Sequence, residues 1–185
     1  GSFVNTGTLN AISPAADMHF NLPFDNSGTF NLSGNTVFLQ DVSDNSGIIN
    51  IGSGVNLTLD AGAVLTLSSG SAFTGSLGNI NVPTGESLNV AVLQVMDTLM
   101  TLNLQGGTIH DAQNLTVPNV FNISGGTING SVTPFITPGG TLTTYTGGTS
   151  NLTVAVDWIN NGSFNFSSTG SDFDLQTFNF TNAGV

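Results

Sequence analysis

The 185-residue chain contains no lysine and no arginine. Only His19 and His110 could carry a positive side chain, so the protein cannot neutralise a phosphate backbone and nucleic acid is a poor partner. Anionic membrane surfaces are disfavoured for the same reason. A site that grips phosphate or carboxylate with a guanidinium or an ammonium cannot be built from this chain. Cysteine is absent as well. There is then no disulfide framework and no thiolate metal site, and the fold must rest on packing and hydrogen bonds. Charged residues make up 6% and leave a formal net charge of -11, where average soluble domains carry about 25%. Solubility therefore depends on neutral polar groups, chiefly Asn, Ser and Thr. No apolar run approaches the roughly 20 residues of a membrane-spanning helix. No basic stretch followed by an apolar core marks a signal peptide.

Helix is disfavoured by what is present. Asn, Thr, Ser and the 24 glycines are weak helix formers, and no sustained 3.6-residue periodicity appears. Short alternating runs recur instead, such as Leu57 and Leu59, Leu65 and Leu67, Leu102 and Leu104, Val154 and Val156, and Phe164 and Phe166. These predict strands of three to five residues separated by Gly and Asn.

The punctuation repeats. Asn5-Thr6-Gly7-Thr8-Leu9-Asn10 returns as Asn26-Ser27-Gly28-Thr29-Phe30-Asn31, then as Asn45-Ser46-Gly47-Ile48-Ile49-Asn50. Asn160-Asn161-Gly162-Ser163-Phe164-Asn165 is a fourth copy, and Asn182-Ala183-Gly184-Val185 begins a fifth. Gly107 and Gly126 open looser copies. A period near 20 residues, with short strands and no helix, predicts a parallel β-helix, or β-solenoid, in which stacked coils share one apolar column. The predicted fold is all-β and forms a single segment over 1–185. The Asn-x-Gly strings are expected at corners, with Asn side chains able to hydrogen-bond along the axis. Leu57, Leu59, Leu65, Leu67, Leu102, Leu104, Ile123, Val154, Phe164 and Phe166 are expected to point inward. Two proline-bearing stretches, near 11–24 and 130–150, are expected to be irregular loops. The most apolar part, 85–104, is expected to be wider core or a partner-facing surface. The last residues look like the opening of another repeat, which suggests a piece of a longer repetitive protein.

The strings Asn26-Ser27-Gly28-Thr29-Phe30-Asn31 and Trp158-Ile159-Asn160-Asn161-Gly162-Ser163-Phe164-Asn165 resemble repeats of filamentous-haemagglutinin-like and autotransporter-type bacterial adhesins. The resemblance is one of repeat style and covers most of the chain. It implies a right-handed helix of coils, a stalk on a cell surface, and attachment to host tissue, other cells or an inert surface.

Chemistry has few candidates. Parallel β-helix enzymes that cleave acidic polysaccharides resemble one another in using Arg or Lys on the substrate, and this chain has neither. Hydrolysis would need paired carboxylates. Asp172 with Asp174, and Asp41 with Asp44, are close in sequence but are better explained as solvated outer-face or corner residues. His19 and His110 accompany no nucleophile motif. No catalytic residue and no cofactor is therefore expected. Calcium is the one cation the composition suits, through Asp41, Asp44 and Asn45 or through Asp17 and Asp25, although no calcium-loop motif is present.

The leading expectation is a structural stalk segment of a bacterial cell-surface adhesin or extracellular fibre, not an enzyme. Its partners would be neighbouring repeats and host or cell-surface glycans or proteins. A carbohydrate-binding β-helix module is an alternative, with Trp158 and Tyr145 as the rings on which a sugar face could stack. A phage tail-fibre or spike segment is another. An ice-binding solenoid is a further class that the plentiful Thr brings to mind, but no Thr-x-Thr column recurs at fixed spacing.

Overall fold

The computed structural model describes residues 1–13, 15–75, 77–131, 133–147, 151–167, 170–176 and 178–184. Among them every pair of neighbouring strands is parallel, and the only helical element is one 3-10 turn, Ala112–Asn114. The chain forms a β-solenoid of about eight turns with roughly 21 residues per turn.

Each turn contributes to three faces in chain order. Face A begins with Phe3–Asn5, Phe24–Asn26, Ser43–Asn45, Val64–Leu67 and Ser87–Val90. Face B begins with Thr8–Ser13, Thr29–Gly34, Ile48–Ile51 and Ala72–Thr74, and ends with Phe135–Thr137, Trp158–Asn160 and Phe180–Asn182. Face C comprises Met18–Phe20, Val37–Leu39, Asn56–Leu59 and Asn79–Pro83, and ends with Leu142–Tyr145 and Ser163–Phe166. Two ten-residue strands, Thr101–His110 and Val120–Asn129, run on face C, bend, and continue on face A. Their glycines make the bend: Gly106 (φ 101°), Gly125 (φ 138°) and Gly126 (φ 114°) occupy backbone conformations that a Cβ disfavours. Through these strands faces A and C merge into one 15-stranded sheet.

Alternation in each strand puts one set of side chains inside. Leu65, Leu88, Ile109, Ile128 and Val154 stack in register as one such column, and all are buried. Leu57, Ile80, Leu102 and Phe121 form another on face C. Burying each such side chain contributes about 1.5–3 kcal/mol. No single coil could keep these groups dry; the stack does so because each coil covers its neighbours.

Most of the expected inward set is buried, but Phe164 is only partly so and Phe166 is 57% exposed. Phe166 lies above Tyr145 on the last rung of face C and packs against that ring with centroids 5.2 Å apart. The two proline-bearing stretches differ from expectation. Residues 11–24 contain the end of Thr8–Ser13, all of Met18–Phe20 and the start of Phe24–Asn26. Residues 130–150 contain Phe135–Thr137 and Leu142–Tyr145, while 148–150 lie outside the described residues. Pro23, Pro134 and Pro138 sit just outside strands, where a missing N–H removes no ladder bond. The apolar stretch 85–104 divides. Leu88, Val90, Met96, Met100, Leu102 and Leu104 are buried, whereas Leu93, Val95 and Leu99 are exposed.

The repeated Asn-x-Gly string turns its Asn inward. Asn5 Nδ2 donates to Asn26 Oδ1 at 2.7 Å, and Asn26 Nδ2 donates to Asn45 Oδ1 at 2.7 Å. Asn45 ends the ladder by donating to Gly47 O at 3.0 Å, because the next residue in its column is Leu67. The five strings do not form one series. The first three close face-A strands, whereas Asn160 and Asn182 close face-B strands, where Asn160 Nδ2 donates to Asn182 Oδ1 at 2.8 Å. The same corner chemistry is thus used at two different corners.

The glycine of the string is set by close stacking. A Cβ on Gly28 would run into Gly7 O, and one on Gly47 into Gly28 O, whereas Gly7 has open space. Gly47→Ala should cost about 1–3 kcal/mol, as forced overpacking does, while Gly7→Ala should leave the thermal midpoint unchanged. Equal midpoints for the two variants in a thermal melt would show that the corners are looser than this.

Candidate functional site

The outward positions form ladders as regular as the core. On face C, Thr58, Asn81, Asn103, Asn122, Thr144 and Asn165 stack in one column. Asn81 Nδ2 donates to Thr58 Oγ1 at 2.9 Å, Asn103 Nδ2 to Asn81 Oδ1 at 2.7 Å, and Asn122 Nδ2 to Asn103 Oδ1 at 2.9 Å. Two residues earlier on the same strands runs a second column: Asn56, Asn79, Thr101, Val120, Leu142 and Ser163. In it Asn79 Nδ2 donates to Asn56 Oδ1 at 2.9 Å. None of these twelve residues is charged.

Face B carries Asn10, Asn31 and Asn50, joined by Asn31 Nδ2 to Asn10 Oδ1 at 2.8 Å and Asn50 Nδ2 to Asn31 Oδ1 at 3.1 Å. Face A carries hydroxyls, with Ser87, Thr108, Thr127 and Thr153 in register. Beside them His110 Nδ1 lies 3.0 Å from Asn129 Oδ1. That oxygen can only accept, so the Nδ1–H donates.

The residues singled out for chemistry are spread over the molecule. Asp172 and Asp174 are both exposed, and Asp174 Oδ1 accepts from Gln176 N at 2.9 Å. Asp41 Oδ1 accepts from Val42 N at 2.7 Å, and Asp17 Oδ1 from Thr36 N at 3.1 Å. His19 lies flat on Phe38, with ring centroids 4.6 Å apart. Among the described residues no group of three or more His, Cys, Asp or Glu side chains is placed to hold a metal ion. Glu86 is buried with one carboxylate oxygen unbonded, and it belongs to no such group.

Asp25 and Asp44 do meet. They are neighbours in register on face A, beside a shallow recess of about 390 Å³ that Ser27, Ser46 and Ser68 also line. Ser68 Oγ donates to Asp44 Oδ2 at 3.0 Å. Asn45, grouped with Asp41 and Asp44 by sequence, faces inward instead and is occupied by the Asn26 ladder.

Trp158 and Tyr145 are fully buried. Trp158 packs among Phe121, Phe135, Phe164 and Phe180, and its Nε1–H donates to Thr137 Oγ1 at 3.3 Å. The Tyr145 hydroxyl donates to Asp172 O at 3.0 Å. Neither ring has a free face on which a sugar could stack.

Sequence reasoning missed the outward ladders. Their trace is a polar residue on each side of an inward one, as in Asn79-Ile80-Asn81, Thr101-Leu102-Asn103 and Thr127-Ile128-Asn129. A search at fixed spacing misses it because coil length varies. The step is 19 residues from Asp25 to Asp44 and 26 from Gly126 to Leu152. Compared with known protein families, curated proteins and solved structures, the chain matches none.

Proposed function

We propose that this chain is a passive stalk segment of an extracellular fibre or bacterial surface adhesin, without catalytic activity, that spans distance and presents its outer faces for weak attachment. The observation that carries the reading is the continuity of the ladders. Side chains inside and outside are spent on contact with the coil above or below, as in Asn5–Asn26–Asn45 within and Thr58–Asn81–Asn103–Asn122 without. Such a stack rises about 4.8 Å per coil, so eight coils span near 40 Å. The resemblance to filamentous-haemagglutinin-like repeats supports the same reading.

The charge of -11 sets the salt dependence. Like-charged rods repel, and salt shortens the repulsion to about 10 Å at 0.1 M. Attachment to cells or to other copies should therefore strengthen with added salt or divalent cations, the reverse of a basic adhesin. Small-angle scattering should give a rod, and binding of the chain to cells and glycans should rise across a salt and calcium series. Turnover of a polysaccharide, or tight binding of one soluble ligand, would replace the stalk reading with that of an active domain.

A further inference from the structure

We propose that face C is an ice-binding surface, on which two columns of uncharged side chains, ten of the twelve of them amides or hydroxyls, hold water in the pattern of a growing ice lattice. This goes beyond the stalk reading and does not rest on it: shape and span test one, adsorption to ice tests the other.

The first ground is periodicity in two directions. Neighbouring rungs lie about 4.8 Å apart along the axis, and positions two residues apart in a strand lie about 6.6 Å apart across it. From Asn56–Leu59 to Ser163–Phe166 the array keeps register over six rungs. The register shifts on this face fall at Val82/Pro83 and Leu104/Gln105, at the corner and beyond both columns. Ladders of this kind are what allow a sheet to stay flat over many strands.

The second ground is that the hydrogen-bonding groups are already oriented. Asn81 and Asn103 each give one N–H to the coil before and accept one bond from the coil after. A side-chain amide has two N–H donors and two lone pairs. Asn81 and Asn103 thus each keep one donor and one acceptor for the outside, in an orientation that repeats from one rung to the next. Ordered side chains lose little further entropy when they hold water, and the cost of fixing each water is small.

The third ground is what the face lacks. Its two columns carry no charge, and Val120 and Leu142 add apolar contact within them. A recess of about 260 Å³ lies beside Asn103 and Asn122 and covers only two of the six rungs, whereas the partner that matches the whole repeating, uncharged array is itself a repeating, uncharged array. A sugar face would want an exposed aromatic ring, and Trp158 and Tyr145 are buried.

The test grows ice slowly from a solution of the whole chain and compares protein in the ice with protein in the liquid, alongside freezing hysteresis by microscopy. The chain should be enriched in ice and should facet the crystals. Asn103→Lys and Thr144→Lys each put a long charged side chain into the array. Each should lower the ice-bound fraction about tenfold, the change that about 1.4 kcal/mol of lost surface affinity gives. Ile136→Lys, on exposed face B, should leave it unchanged. Circular dichroism and thermal melts confirm that each variant is folded, and two array variants guard against one that is not. Exclusion of the native chain from ice overturns the proposal. So does retention on insoluble neutral polysaccharide without ice adsorption, which would make face C a glycan surface. Equal loss in Ile136→Lys also overturns it.

Discussion

Asn26→Ala should lower stability by about 3 kcal/mol, because it strands buried groups at about 1–3 kcal/mol each. Asn26 is 2% exposed and stands at the centre of the inward ladder. Its Oδ1 accepts from Asn5 Nδ2, and its Nδ2 donates to Asn45 Oδ1 and, at 3.2 Å, to Ile48 O. Alanine removes both halves of the amide and leaves Asn45 Oδ1 with no donor in a place water does not reach. Leucine, which occupies the same column as Leu67, would fill the space and still strand that oxygen, so Asn26→Leu should recover only part of the loss. Asn31→Ala, in the outward ladder of face B, should cost within about 0.5 kcal/mol, since water replaces what it removes.

A stack of coils loses stability locally, because each coil touches only its neighbours. Hydrogen exchange should therefore show residues 3–51 opening first in Asn26→Ala, with Leu102 to Val156 still protected. Uniform loss of protection, or no difference between Asn26→Ala and Asn31→Ala, would mean that the inward amides carry no special weight.

The architecture was legible because two signals agreed. Runs such as Leu65 and Leu67 gave a two-residue period, and strings such as Asn26-Ser27-Gly28 gave a longer one near 20. The two-residue period alone would also suit a sandwich of short strands, and the recurring corner strings argue against one. What stayed hidden follows from the variation in coil length. A coil that is longer at one corner and shorter at another moves the same string to a different face, so Asn45 and Asn160 look alike and occupy different corners. The same variation concealed the columns Thr58–Asn81–Asn103–Asn122 and Ser87–Thr108–Thr127–Thr153. The rings were misplaced for another reason. Trp158 and Tyr145 each have a polar atom, which suggested a wet position, but a buried Trp or Tyr needs only one partner for it. Thr137 Oγ1 and Asp172 O supply those partners, and nothing local in the sequence announces them.

Trp158→Ala should be the most damaging single truncation in the upper coils, at about 3–5 kcal/mol. Trp158 is the largest fully buried side chain, and the rings of Phe121, Phe135, Phe164 and Phe180 surround it with centroids 5.2–6.1 Å away. Two of these, Phe164 and Phe180, are only partly buried themselves, so the indole is what anchors the last two coils to the closed core below. It also ties into a polar interior. Thr137 Oγ1 accepts from the indole and donates to Asn160 Oδ1 at 2.5 Å, while Asn160 Nδ2 donates to Gly162 O at 2.7 Å. Trp158→Phe keeps one aromatic ring and loses the N–H with the rest of the indole, so it should cost about 1–2 kcal/mol, from a smaller cavity and one lost hydrogen bond. The measurement is a denaturant series on the three proteins with exchange protection followed at residues 152–166. Trp158→Ala should free this segment while the coils holding Leu57 to Val90 stay closed. If the alanine and phenylalanine variants lose the same stability, the N–H bond rather than the ring packing holds the upper coils. If neither loses any, the aromatic cluster is not what joins these coils.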